Sequence, residues 1–244
     1  MVLGCDDGTV SVVRLCDDGS VESQCEDAVH DNMVVALAVD PRTRAVASGG
    51  HDGAVRVWEA ADVPSAHRMP LRAVYERAHE CHGVCWAVGG SAVGAGYSDG
   101  ALRLYDARTP GGCVSRTRAS GVALTAVCSS DGDGTMVAVG DDAGVVRVFD
   151  ARELARPLWG ARRHAWACTA LALKRFDDGR TVLASGGEDC CVVVGDTAQA
   201  AEAQTAKSKA HSDAVSALVW CGQSGLLSAS RDRTVVRHSL ASTC

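Results

Sequence analysis

Aromatic residues are scarce in this chain of 244 residues, at 4% of the total, and there are only five prolines. No run of about 18 apolar residues occurs, so the sequence predicts no membrane-spanning helix. A basic excess is also absent: 24 Lys and Arg against 30 Asp and Glu give a net charge of −6, which argues against nonspecific nucleic-acid binding. The first residues lack the features of a signal peptide, so we expect a cytoplasmic or nuclear protein.

Hydrophobic residues are plentiful, at 47%, and are mainly alanine and valine, which favours a sheet-built core. Cysteine is abundant too, with 12 residues. Several of these cysteines occupy positions where an alternating strand would carry Val or Ala: Cys85, Cys128, Cys168 and Cys221. We therefore expect buried free thiols in a reducing compartment rather than a disulfide framework.

The chain repeats itself with a period in the mid-forties. "VASGGHDGAVRVWEA" at 46–60 has relatives at 1–15, 93–107, 137–151, 183–197 and 226–240. The shared turn position is occupied by Asp7, Asp52, Asp99, Ala143, Asp189 and Asp232, which are 43 to 47 residues apart. Cys190 follows Asp189 where most copies have glycine. Each stretch reads as a strand, a hairpin turn and a second strand, because Asp and Gly suit the positive φ of two-residue turns.

A second apolar segment precedes most copies, at 33–40, 83–90, 122–129, 168–175 and 214–221. Each segment alternates over about eight residues and is bounded by Gly, Asp or Ser, which predicts a further strand. A histidine stands before four of them: His30, His79, His164 and His211.

A unit of this length, with a histidine before the first strand and an aromatic-acidic pair ending the third, resembles the WD40 repeat. The pairs are Trp58-Glu59, Tyr105-Asp106 and Phe149-Asp150, and Ala78-His79 and Ala210-His211 stand for the Gly-His dipeptide. The resemblance implies an all-β propeller in one domain, 1–244, with repeats around 1–25, 30–62, 79–110, 120–153, 164–197 and 211–240. Seven blades are commonest in this family, so six repeats suggest a seven-bladed propeller lacking its N-terminal portion. A six-bladed closure is the alternative.

The family also implies a buried network of the turn Asp, the loop His, a Ser on the second strand and the Trp on the third. The second repeat matches at all four positions: His30, Ser48, Asp52 and Trp58. The other expected members are His79 and Asp99, His164, Ser185 and Asp189, and His211, Ser228 and Asp232. His238 stands where the last repeat would carry Trp, and the fourth repeat keeps almost none of the pattern. His51 lies outside the network.

Candidates for chemistry are weak. The Asp doublets at 6–7, 17–18, 141–142 and 177–178 could serve acid-base or metal chemistry, but they fall in predicted turns, where Asp is favoured for local hydrogen bonds. "AHECHGVC" offers His79, Cys81, His82 and Cys85 for zinc, but their spacing fits no closed tetrahedral pattern. No nucleotide-binding or nucleophile-elbow motif is present. We expect no catalytic residue, metal or cofactor; a propeller-based hydrolase is the alternative from another class.

Protein binding is the function class that remains, and two features of the sequence indicate partners. Asp-Ala-Arg follows the third strand in two repeats, ending in Arg108 and Arg152. It resembles the box of WD40 substrate receptors of cullin-RING ubiquitin ligases, whose Arg contacts the adaptor. The order of irregular repeats resembles the WD-repeat subunits of protein-arginine methylosomes. That resemblance implies a non-enzymatic scaffold in a hetero-oligomeric complex, which binds an arginine methyltransferase and presents basic substrates such as histone tails or Sm proteins. The acidic net charge suits cationic partners.

Overall fold

A computed structural model describes residues 2–15, 18, 20–58, 71–75, 79–108, 112–131, 133–197, 206–222 and 225–239. Two residues of the aromatic-acidic and Gly-His motifs, Glu59 and Ala78, lie outside the described residues. Strands dominate the rest, and Val88–Gly90 forms a short 3-10 turn. Among the described residues, no helix has the length and apolar character needed to cross a bilayer.

The strands of the described residues form six antiparallel sheets, named blades 1 to 6 in chain order. Blade 1 contains β1 (Val2–Gly4), β2 (Thr9–Leu15) and β3 (Val21–Ala28). Blade 2 contains β4 (Val34–Val39), β5 (Val46–Gly50), β6 (Val55–Trp58) and β7 (Leu71–Tyr75). Blade 3 contains β8 (Cys81–Ala87), β9 (Ala92–Tyr97), β10 (Ala101–Asp106) and β11 (Cys113–Arg118).

The remaining blades repeat this order. Blade 4 contains β12 (Leu124–Ser129), β13 (Met136–Asp141), β14 (Val145–Asp150) and β15 (Trp159–Arg162). Blade 5 contains β16 (Cys168–Arg175), β17 (Thr181–Gly187), β18 (Val192–Asp196) and β19 (Ala206–Ser208). Blade 6 contains β20 (Val215–Cys221), β21 (Gly225–Ser230) and β22 (Val235–Ser239).

Successive blades pack through their inner strands: β4 contacts β8, β8 contacts β12, β12 contacts β16, and β16 contacts β20. The predicted all-β propeller is therefore confirmed, but its blade count differs from the expected seven. Five blades begin with an inner strand, whereas blade 1 begins at the second-strand position with β1. The count follows from the sequence, since each repeat in the mid-forties folds into one sheet.

The core is divided among the interfaces between blades. Five clusters of buried apolar side chains each join two neighbouring blades; one of them combines Val10 of blade 1 with Val46 and Trp58 of blade 2. Most members are Val and Ala, which explains how a chain poor in aromatic residues fills its interior. Burying one valine side chain contributes roughly 1.5–3 kcal/mol to the stability of the fold.

Glycines near the end of the second strand let neighbouring blades approach closely. A Cβ placed on Gly140 would lie 2.5 Å from Cys168 Sγ of the next blade, and one on Gly186 would lie 2.5 Å from Val215 Cγ1. The glycines of the repeated turn stretch thus serve packing as well as the turn itself.

The cysteines match the predicted burial only in part. Cys85 and Cys168 are buried and Cys128 is only partly buried; these three are free thiols. Cys221 does not match the expectation, because it is exposed at the end of β20. Within the described residues, β20 packs on blade 5 and on its own sheet but closely against no other strand.

Candidate functional site: the turn networks and the rim around them

A line of four polar side chains runs through blade 2. Trp58 Nε1 donates to Ser48 Oγ at 3.1 Å, and Ser48 Oγ lies 2.8 Å from His30 Nε2. His30 Nδ1 lies 2.9 Å from Asp52 Oδ1. The hairpin turn after β5 positions Asp52, and the loop before β4 positions His30, so the network connects two loops with two strands.

The direction of these bonds follows from the protonation states. Burial alone would raise the pKa of the Asp52 carboxyl, but hydrogen bonds from Arg56, His30 and two backbone amides hold that pKa well below its usual range. Burial lowers the pKa of His30 despite the neighbouring carboxylate, so the imidazole is neutral near pH 7. An ionised carboxylate only accepts. His30 Nδ1 therefore donates to Asp52, and Ser48 donates to His30 Nε2.

Blades 5 and 6 contain corresponding groups of three residues. His164 lies 2.9 Å from both Asp189 Oδ1 and Ser185 Oγ. His211 Nε2 lies 2.7 Å from Ser228 Oγ, and its Nδ1 lies 3.2 Å from Asp232 Oδ2. In blade 6, Ser228 Oγ also lies 2.8 Å from His238 Nε2. His238 thus makes the contact that Trp58 makes in blade 2.

Blade 3 departs from the expected pattern. His79 is half exposed and lies 3.6 Å from Asp99 Oδ2, while Asp99 accepts from Arg103 Nη2 at 2.7 Å. The reason is spacing: His79 precedes β8 by two residues, whereas His30 precedes β4 by four. The loop is too short to insert His79 between the strands. The buried Arg103 lies instead over the Tyr97 ring, with its Cζ 4.2 Å from the ring centroid.

Blade 4, where the sequence showed almost none of the pattern, has a substitute network. Ser120 Oγ donates to Asp141 Oδ2 at 2.7 Å, and Arg147 Nη1 donates to the same oxygen at 2.8 Å. Asp141 stands two residues before the turn position Ala143 and is almost fully buried. The sequence placed Asp141 in one of the Asp doublets expected in turns. The serine four residues before β12 was the signal that could have revealed it.

Ser48, His30 and Asp52 stand in the order of a serine-hydrolase triad, but they cannot act as one. A nucleophile must reach a substrate carbonyl. Ser48, Ser185 and Ser228 are all fully buried, with an exposed fraction of 0%. Each hydroxyl is surrounded by the blade and is inaccessible to a substrate, so these groups stabilise the fold rather than perform chemistry.

Two predicted partner-binding arginines lie at the opposite end of the blades, after the third strand. Arg108 Nη2 lies 2.8 Å from Asp106 Oδ2, and Arg152 Nη2 lies 2.6 Å from Asp150 Oδ2. Each guanidinium also donates through Nε to the same carboxylate. The two arginine side chains are about two-thirds exposed, so the consecutive blades present the same feature to solvent.

The structure does not assemble the zinc quartet considered from the sequence. Cys81 and Cys85 are buried, and burial raises the pKa of each thiol to about 12. A thiol of that pKa is protonated near neutrality and is a poor metal ligand. Within the part of the chain that the structure describes, His82 is the one member of the quartet that belongs to a group of three potential ligands.

The buried histidines predict a pH dependence. Because burial lowers the pKa values of His30 and His164, the unfolded chain binds protons more readily than the folded chain below about pH 6.5. Stability is therefore expected to fall between about pH 7 and pH 5, and to fall further below about pH 4 as the carboxylates with lowered pKa values, Asp52 and Asp189, become protonated. Urea unfolding at several pH values measures this.

The variant His30→Gln/His164→Gln is the control for that experiment. It lacks both titrating groups, so its stability should depend less on pH between about 7 and 5. Equal slopes for the variant and the wild-type chain would contradict the assignment.

Comparison with known families agrees with this architecture. The family profile described as WD domain, G-beta repeat, matches residues 23–59 and 203–236. These segments include the turns of blades 2 and 6, in which His, Ser and Asp lie together. No curated protein matches the chain significantly. The two matched segments, which together hold 71 of the 244 residues, are therefore similar to WD40 repeats, and the described sheets form a β-propeller.

Proposed function

We propose that the protein is a non-enzymatic scaffold for protein–protein interaction, which binds a partner at the edge of the propeller that carries the turn networks. We call this edge the turn rim: the turns between second and third strands and the loops preceding the inner strands. The observation that carries the proposal is Trp166, which lies in the loop before β16 with 63% of its surface exposed. Tryptophan is enriched among the residues that dominate binding energy at interfaces.

The loop of Trp166 is held in place. Arg162 Nη2 donates to the Ala165 carbonyl at 3.0 Å, and the Ala165 amide donates to Asp189 Oδ2 at 3.1 Å. The Glu188 amide donates to the Ala167 carbonyl at 3.0 Å. Because the backbone on both sides of Trp166 is fixed, binding at this loop costs little backbone entropy, so Trp166 is suited to contribute affinity.

The charge on the turn rim favours a basic partner. Each blade places an exposed carboxylate there: Asp6, Asp31, Glu80, Asp142, Glu188 and Asp213. Cations at the same edge offset this charge in the later blades: Arg118, Arg162, Lys207, Arg231 and Arg233. The exposed carboxylates therefore predominate in blades 1 and 2. A row of one charge steers an oppositely charged partner and speeds association.

The finer proposal is a methylosome-type subunit that binds an arginine methyltransferase and recruits Arg-rich substrates such as histone tails or Sm proteins. Its support is the sequence resemblance in the order of irregular repeats, together with the acidic turn rim. Purification of the tagged chain from cells, followed by mass spectrometry, tests it. Recovery of an arginine methyltransferase is the expected result, and recovery of other partners alone would contradict it.

Arg108 and Arg152 favour a second candidate, a substrate receptor of a cullin-RING ubiquitin ligase. Both are exposed at the same end of neighbouring blades, each in the same hydrogen-bonded pair with an Asp. The same purification discriminates between the two. A cullin adaptor that is recovered with the wild-type chain and lost with Arg108→Ala or Arg152→Ala would favour this candidate.

The Trp166→Ala variant tests the binding surface itself. A side chain that dominates an interface contributes 2 kcal/mol or more, so the variant is expected to bind the main partner about 30-fold more weakly. Its melting temperature should remain close to that of the wild-type chain, because the side chain is exposed. Binding is measured with the purified partner by calorimetry.

Val114→Ala is the matched control, since Val114 is equally exposed, at 63%, but lies on the outer strand β11. It should bind as the wild-type chain does. Unchanged affinity for Trp166→Ala, or an equal loss for Val114→Ala, would show that the turn rim around Trp166 is not the docking surface.

A further inference from the structure

Three potential metal ligands from two blades meet on the turn rim. One ligand atom each from His51, Glu80 and His82 lies within 4.8 Å of the others. The rings of His51 and His82 have their centroids 5.5 Å apart, and His82 Nε2 lies 3.4 Å from Glu80 Oε2. All three side chains are at least partly exposed, so the group is accessible to an ion from solvent.

Their backbones are fixed by the sheets. The His51 amide donates to the Met33 carbonyl at 3.0 Å, and the Glu80 carbonyl accepts from the Ser98 amide at 2.9 Å. His82 is the extra residue of a β-bulge between β8 and β9. Ligands on such fixed positions need only side-chain rotation to reach a common ion.

The bulge gives His82 a defined tautomer. Its Nδ1 lies 3.0 Å from the Leu124 carbonyl at the start of the next inner strand. At the same bulge position in blade 4, the Thr125 hydroxyl donates to the Cys168 carbonyl at 2.6 Å, and in blade 5 the Thr169 hydroxyl donates to the Val215 carbonyl. Because a carbonyl only accepts, Nδ1 of His82 carries the hydrogen.

Nε2 of His82 faces the Glu80 carboxylate at 3.4 Å, so both groups direct a potential ligand atom toward the same point. Metal-binding histidines commonly donate their second ring nitrogen to a backbone carbonyl, which orients the imidazole and raises its basicity. His82 has this arrangement before any ion binds.

We propose that His51, Glu80 and His82 form a binding site for a divalent transition metal ion, of which zinc suits the two imidazoles and one carboxylate best. Bonds of about 2.0–2.2 Å in a tetrahedron place ligand atoms roughly 3.3 Å apart. The ligand atoms now lie up to 4.8 Å apart, and rotation of the Glu80 and His51 side chains brings them to this separation. The fourth position faces solvent, where water or a partner's side chain completes the coordination. The site lies at blades 2 and 3 of the turn rim, whereas Trp166 lies in the loop before β16, and metal binding by the free chain does not require the proposed docking function.

The test uses the full chain, stripped with a chelator and titrated with Co²⁺ and then Zn²⁺. We expect one equivalent of Co²⁺ to give visible d–d absorption without the near-ultraviolet thiolate-to-cobalt band, and Zn²⁺ to displace it. A thiolate band, or no binding, would overturn the proposal, since the chain contains 12 cysteines that could bind metal elsewhere.

The variant His82→Thr removes the ligand and keeps the bond to the next blade, because Thr125 and Thr169 make that bond at the same position. It should bind Zn²⁺ at least about tenfold more weakly, with an unchanged melting temperature in the absence of metal. Glu80→Gln, at an exposed position, should weaken binding similarly and serves if the first variant folds poorly.

His79→Gln is the matched control on the same loop, outside the three-residue group. It should leave Zn²⁺ affinity unchanged. Loss of binding in His79→Gln with retention in His82→Thr and Glu80→Gln would overturn the assigned ligands.

Discussion

Replacing Asp52 by alanine is expected to lower the free energy of unfolding by about 3–5 kcal/mol, the loss typical of removing one partner of a buried ion pair. The Asp52 carboxylate accepts from Arg56 Nη1 and from His30 Nδ1, both at 2.9 Å. It also accepts from the amides of Asp31 and Ala54. The side chains of Arg56 and His30 are almost fully buried, so neither can turn to water when the carboxylate is lost.

Blade 5 provides the comparison. Val193 stands where blade 2 has Arg56, and the cation near Asp189 is Lys207, whose side chain is half exposed. Asp189→Ala leaves no charge buried, so its expected cost is only about 1–3 kcal/mol, from unsatisfied hydrogen bonds. Urea unfolding of the two variants measures the difference.

A double variant separates the buried charge from the lost hydrogen bonds. Asp52→Ala/Arg56→Val copies the blade 5 arrangement and should recover part of the stability lost in Asp52→Ala. Equal costs for the two single variants, or no recovery in the double variant, would contradict a role for the buried guanidinium.

The period in the sequence predicted the sheets well, because every repeat alternates apolar residues over short segments bounded by turn residues. The networks of blades 2, 5 and 6 could be predicted from resemblance alone, since His30, His164 and His211 all stand four residues before an inner strand. His79 stands two residues before β8, and this difference in spacing removes it from the blade.

The group formed by His51, Glu80 and His82 could not be predicted from the sequence, because it depends on contacts between repeats. His51 belongs to the turn of blade 2 and His82 to the bulge of blade 3, and neither residue has a repeated pattern that indicates the other. The bulge residues of blades 3, 4 and 5 are His82, Thr125 and Thr169, so no single residue type marks the position. The packing of blade 2 against blade 3, through β4 and β5 on β8, brings these side chains together.

Gly144→Ala is expected to destabilise the protein by about 3 kcal/mol. Gly144 has φ of +78°, which costs an L-residue roughly 1–2 kcal/mol. An added Cβ would also overlap the carbonyl oxygens of His164 and Trp166 in the next blade's loop, and overpacking of this kind costs a further 1–3 kcal/mol or so. The loop is bound to this turn, because the amides of Arg163 and His164 donate to the Gly144 carbonyl at 3.0 and 3.1 Å.

Two other turns separate these contributions. Gly179 has φ of +85° with no atom near its Cβ position, so Gly179→Ala should cost only about 1–2 kcal/mol. Cys190, directly after Asp189 in the turn of blade 5, has φ of +63°, so Cys190→Gly should stabilise the chain by about 1 kcal/mol. Thermal or urea unfolding measures all three, and equal costs for Gly144→Ala and Gly179→Ala would contradict the overlap.

The same glycine connects stability with the proposed docking surface. A Cβ on Gly144 would lie 2.4 Å from the carbonyl oxygen of Trp166. An alanine at this position must therefore displace the loop that presents the indole ring. Gly144→Ala should therefore weaken partner binding under conditions in which the variant is still folded, whereas Gly179→Ala should not. Partner affinity that is unchanged in folded Gly144→Ala would separate the loop position from binding and would argue against Trp166 as the anchor.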